Sequence, residues 1–344
     1  MSFNRSIELT IQAVNQGIRT AEDLAEQVNT VNVFGASAER CGEAALTLTG
    51  VETEINEALK HSNAIELAAK HSSSDDLPVT LQPQRKTTRM ASDLGLLKPL
   101  AEMTSSTESA RDGIVAANTA GAEIIAEAGG NIRPTEDYIL PAIGELRVHF
   151  AQQVVGAVVE MVQSTGVEDE CTAALASCLQ RIHEHGSHAE NLTAQASSGS
   201  TTTVEGLRVV AAARCSTLSV GKLLTNNALG MLGNAEQELD TAQDLVSGRT
   251  IQVISPTVIA HVNEAVTCQS DAAVVLKQDV LPTIPAVRQQ FVSAAQTFAE
   301  TGAAFTSVAG HLGDTALASA DMLAVLATHE NHLHKLNGSN RNQG

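Results

Sequence analysis

The chain has 344 residues and a formal net charge of −18, with 43% apolar residues but only 2% aromatic ones. Such a charge repels phosphate backbones and anionic membrane surfaces, which excludes nucleic acid as the expected partner. With no Trp and a single Tyr, Tyr138, the chain also lacks stacking platforms for bases and most aromatic anchors of a tight interface.

Residues 1–71 read as N-terminal helices. Their opening, "MSFNRSIELTIQAVNQGIRT", has no signal-peptide core, so a cytoplasmic setting is expected, with leaderless export as the alternative. Apolar residues recur at Ile7, Ile11, Val14, Ile18, Ala21, Ala25 and Val28, the spacing of a helix face. The polar stretch 72–93 carries two prolines and reads as a linker or long loop. A first helical module spans 94–197, with a stripe at Leu100, Met103, Thr107, Ala110, Ile114, Ala117, Gly121, Ile124 and Ala128. "EAGGNIRPTED" (127–137) and "STGVED" (164–169) read as turns. Between them "QQVVGAVVEMV" is the most apolar run; Glu160 interrupts it, and it is far short of the ~20 residues that span a membrane.

"SSGSTTT" (197–203) reads as a flexible join into a second module, 198–336. Its longest stripe runs Val204, Leu207, Ala211, Arg214, Leu218, Gly221, Thr225, Ala228, Leu232, Ala235, Leu239, Ala242, Val246. "SGRT" (247–250) ends that helix, and Pro256 suits the first turn of the next. A last stripe runs Val287, Phe291, Ala294, Phe298, Thr301, Phe305, Val308, Leu312. Gly313 with Asp314 reads as a helix stop and N-cap, and 337–344 as a disordered tail. A repeat near 3.5 residues is the signature of helices crossing at shallow angles. The expected fold is therefore all-α: an elongated bundle of roughly eight long antiparallel helices with coiled-coil-like packing.

The two modules look related. "ILPAIGELRVHF" (139–150) matches "VLPTIPAVRQQF" (280–291), with Leu140, Pro141, Ile143, Arg147 and Phe150 recurring as Leu281, Pro282, Ile284, Arg288 and Phe291. "ALASCL" (174–179) matches "ALASAD" (316–321), and Ile182, His185, His188 and Leu192 match Leu326, His329, His332 and Leu336.

The densest chemistry is "CLQRIHEHGSHAENL" (178–192). His185 and His188 are three apart and share a helix face, while His183 points elsewhere. Cys171, Cys178 and His185 line up, but at steps of ~10.5 Å, too far apart for one ion. His329 and His332 repeat the spacing, and four imidazoles from His185, His188, His329 and His332 could hold zinc or respond together near pH ~6 if the modules packed with pseudo-two-fold symmetry. The competing reading is a hydrated helix shoulder. No Glu-x-x-His repeat of a di-metal bundle occurs; His261 and Glu264 stand in the reverse order. "SVGKLL" (219–224) lacks the first Gly and the final Ser or Thr of a phosphate loop. The five cysteines are sparse and odd in number, unlike a disulfide framework.

The sequence thus points to a non-enzymatic structural or interaction protein without a resident cofactor, acting through helix–helix contacts with a protein partner or with itself. A metal- or pH-responsive bundle is one alternative; a leaderless secreted or pore-forming helical protein is another.

Overall fold

The computed structural model describes residues 3–73, 96–165, 170–246 and 256–341, and no strand occurs among them. The described residues form α1 (Phe3–Val31), α2 (Phe34–Ser73), α3 (Leu97–Pro134), α4 (Leu140–Val148), α5 (Val155–Thr165), α6 (Glu170–Lys222), α7 (Leu229–Val246), α8 (Pro256–Val274) and α9 (Ile284–Arg341). Four π-helical turns, Thr135–Ile139, His149–Val154, Leu223–Ala228 and Val275–Val280, join successive helices. The protein is an all-α multi-helix bundle, as the periodicity predicts.

The chain divides into two compact units that do not follow sequence order. The first draws on Met1–Ala38, Ala126–Leu207 and Gln296–Gly344, the second on Glu39–Ile125 and Arg208–Ala295. The continuous modules 94–197 and 198–336 therefore each contribute to both, because long antiparallel helices place distant stretches of chain side by side. In the second unit, His61 lies against Glu102 and Val51 against Gly113, so α2 and α3 run antiparallel; Asn118 accepts from Arg214 and Thr104 donates to Glu236, so the run from α6 into α7 passes α3 antiparallel as well. In the first, Thr10 donates to the Ala157 carbonyl at 3.2 Å, while Arg181 donates to Asp321 at 2.9 Å and Thr203 faces Thr301 at 3.4 Å, again antiparallel.

Burial confirms two of the predicted stripes residue for residue, Leu100–Ala128 on α3 and Val287–Leu312 on α9. Small residues at these positions let helices approach closely. Where α9 meets the start of α2, a Cβ at Gly302 would lie 2.9 Å from the Gly35 backbone nitrogen. Asn32 locks this junction by donating to the Gly302 carbonyl at 3.1 Å. Beside it, Phe34 packs on Phe298 and Phe305, ring centroids 6.5 and 5.3 Å apart.

Two stripes need correction. On α1 the buried face is Ile7, Thr10, Val14, Gly17, Ala21, Leu24 and Val28; Ile11, Ile18 and Ala25 are its half-buried shoulder. A threonine and a glycine occupy core positions there, which an apolar count passes over. From Thr203 through the end of α6 and into the turn after it, the buried residues are Thr203, Gly206, Val210, Ala213, Thr217, Val220 and Leu224, one position before the expected stripe. From Ala228 to Ala242 the expected stripe and the buried face agree. The π-helical turn Leu223–Ala228 makes the difference, since such a turn inserts one residue into the helix. The buried spacing around it, Thr217, Val220, Leu224, Ala228, Leu232, Ala235, runs three, four, four, four, three instead of alternating. Leu146, Phe150, Val154, Val158, Met161 repeat the run of fours at His149–Val154, as do Ala272, Leu276, Val280, Ile284, Val287 at Val275–Val280.

Three expected breaks are helical. Residues 127–137 continue α3 into a π-helical turn, 197–203 lie inside α6, and Gly313–Asp314 lie inside α9. A glycine in a long packed helix costs only about 1 kcal/mol, which tertiary packing overrides. Pro256 opens α8 as predicted, and α9 runs through Arg341 into the expected tail. Of the linker 72–93, residues 72–73 belong to α2; the rest, with 166–169 and 247–255, lies outside the described residues. No helix among the described residues is long and apolar enough to cross a membrane.

Candidate metal centre

Helices α6 and α9 lie side by side in the first unit. On α6 Leu175, Cys178, Ile182 and Ala189 are buried, and on α9 Leu312, Thr315, Ser319 and Met322 are. His185 and His188 stand one position off the α6 face, and His311 and Asp314 one position off the α9 face. Each pair is three apart, so each shares one side of its helix. Antiparallel packing then brings the two pairs together along the same seam.

The His311 ring stacks on His188, with centroids 5.2 Å apart and an interplanar angle of 18°. It also meets His185 at 5.8 Å and 37°. The His185 Nδ1 lies 3.7 Å from an Asp314 carboxylate oxygen, beyond hydrogen-bond range. The Nδ1 atoms of both His185 and His311 are shielded from solvent and have no hydrogen-bond partner. Buried polar atoms are nearly always paired, so two orphans on facing rings mark a place where a further atom fits.

One ligand atom from each of His185, His311 and Asp314 falls within 4.8 Å of the other two. Two ligands on one tetrahedral zinc ion, each at ~2.0–2.2 Å, stand ~3.3–3.6 Å apart, so side-chain rotations that draw the three atoms inward by about an ångström close the set. His188, stacked on His311, is the nearest further imidazole. Burial pushes the His311 pKa down, and the adjacent His188 and His185 push it further; Asp314 opposes them. The neutral ring is the form that binds metal. No protein-family model matches the sequence, and no curated protein matches it.

Of the residues singled out in the sequence, His185 and His188 belong to this cluster. His329 is buried on α9 about five turns beyond His311, or ~27 Å of helical rise. The His332 side chain lies outside those described. The first histidine pair is thus joined by His311 and Asp314, which sequence reading missed. Their signal is the "HLGD" of α9, with the same three-residue spacing as "HGSH", in which Gly–Asp by itself reads as a helix stop. His183 faces away from the cluster, as its position on the helix predicts.

The other candidate groups find separate partners. Cys178 is buried and accepts from Arg181 at 3.5 Å, and burial raises the pKa of Cys171. Glu184 accepts from Gln180 at 2.9 Å, and Glu190 accepts from Arg147. His261 pairs with Glu238 across to α7 and not with Glu264 in its own helix. "SVGKLL" runs from α6 into a π-helical turn, so its backbone N–H groups cannot cradle a phosphate.

Proposed function

We propose that this chain is a non-enzymatic helical-bundle protein whose first unit binds a divalent transition metal, with Zn²⁺ the best match to a set of imidazoles and one carboxylate. The ion would clamp α6 to α9, making the unit responsive to metal and, through proton competition at the imidazoles, to pH. The observation that carries this reading is the convergence of His185, His311 and Asp314 with two shielded, unpaired Nδ1 atoms.

Titration with Zn²⁺, and with Co²⁺ read by its visible absorption, tests it. One ion per chain and a rise in the thermal midpoint are expected, amounting to ~2.7 kcal/mol when free metal is 100-fold above Kd. His185→Ala and His311→Ala should each abolish the effect, and His329→Ala should preserve it. Absence of binding, or binding that survives both substitutions, refutes the assignment.

A second reading is the scaffold or assembly subunit. Such a role needs an apolar face open to another helix, and the α3 and α9 stripes are buried within the chain. This reading is supported by Val155 and Val159, exposed one turn apart on α5. A second copy of this chain would cover them. Sedimentation of wild type and Val155→Glu decides it: a monomer in both rejects self-association.

A further inference from the structure

The first unit also contains a cavity of about 110 Å³, walled by Ile143, Leu146, Phe150, Leu179, Ile182 and Leu312. Arg147 and His183 are its exposed polar lining residues, and none of the four clustered metal-site residues takes part. Two of its polar groups are engaged elsewhere: Thr315 donates to the His311 carbonyl at 2.8 Å, and Arg147 is held by Glu190. Apart from the exposed His183, the rest of the wall is almost entirely apolar.

Gly186 lines the same space, and a Cβ added there would meet no atom within 4 Å. The contrast with Gly302 is informative. There the missing side chain lets two backbones touch, whereas at Gly186 it leaves volume empty.

We infer that this cavity is a binding site for a small, uncharged, apolar molecule about the size of one aromatic ring. An apolar cavity of ~150 Å³ takes up benzene, and this one is of the same order. Phe150 offers a ring for edge or offset contact with such a guest. The Arg147–Glu190 ion pair at the cavity edge sets opposite charges side by side, leaving no net charge to attract an ionic ligand.

Fluorobenzene binding followed by ¹⁹F NMR, with EDTA present throughout, keeps the test apart from the metal site. Saturable binding is expected in wild type and in Gly310→Leu, whose new side chain also enters open space but outside the cavity. Gly186→Leu should fill the cavity, fold with a thermal midpoint at least that of wild type, and weaken binding about tenfold or more. Leu179→Phe, which fills the same space from a half-buried position, should do likewise and covers the case in which Gly186→Leu does not fold. Absence of saturable binding in wild type, or equal binding in the filled variants, overturns the inference.

Discussion

In the first unit the stretch Ile139–Phe150 follows a π-helical turn, and in the second unit Val280–Phe291 follows another. Both place Leu–Pro directly after the turn. In both, the buried face steps through equivalent positions: Ile139, Ile143, Leu146, Phe150 in one, Val280, Ile284, Val287, Phe291 in the other. Arg147 pairs with Glu190, and Arg288 with Glu52, each on a neighbouring helix. Each phenylalanine points at a glycine of another helix, Gly17 or Gly121. The histidines do not follow this likeness. In the second unit His61 and His261 each face a glutamate, whereas in the first His185, His188 and His311 face one another. A shared sequence frame therefore sets how a helix is buried, and the facing helix sets what chemistry its flank can do. The "ALAS" match makes the same point in reverse: Leu175 is buried, and its counterpart Leu317 is 67% exposed.

The largest test of the comparison is Phe291→Ala, expected to cost about 3–5 kcal/mol in urea unfolding. Phe150→Ala should cost less, because that ring already borders the cavity; equal losses would break the comparison. Next comes Gly17→Ala. Its Cβ would lie 2.6 Å from the Phe150 ring, and a loss of about 1–3 kcal/mol is expected. Gly121→Ala should cost a similar amount, since the nearest atom, at 2.8 Å, is the Arg214 Cγ near the root of a side chain whose head is held by Asn118.

A smaller effect concerns pH. The folded pKa of His311 is lowered from the unfolded value near ~6.5. The unfolded chain then binds more protons in the window below ~6.5, so the contribution of neutral His311 is complete above that value and is lost as pH falls toward the folded pKa. Metal-free wild type should lose stability from pH ~6.5 downward more steeply than His311→Gln, by chemical denaturation at several pH values. Identical slopes would remove His311 as the titrating group. Smallest are the two arginines: Arg147→Ala and Arg288→Ala should each cost ~1 kcal/mol or less, with the loss shrinking in high salt.

Much of the fold is legible in the sequence. The α3 and α9 stripes could be read directly because a buried helix face repeats every three or four residues whatever it packs against. Pro256 likewise marks its own place at a helix start. The α6 frame was misread upstream of Leu223 because a π-helical turn adds a residue without any punctuation in the sequence. Gly313–Asp314 was misread because local breaker signals are weaker than the packing of a long helix.

For the site, the His185–His188 pair was visible from spacing alone, as a property of one helix. Its partners were not. His311 and Asp314 lie more than a hundred residues away, and two antiparallel helices can be slid past each other by a heptad with little change in their patterns. Composition and periodicity determined that this chain is helical and which faces turn inward. Only the tertiary structure decided the register between α6 and α9, because that depends on side-chain volumes such as Phe298 beside Gly206, and register decides which histidines meet.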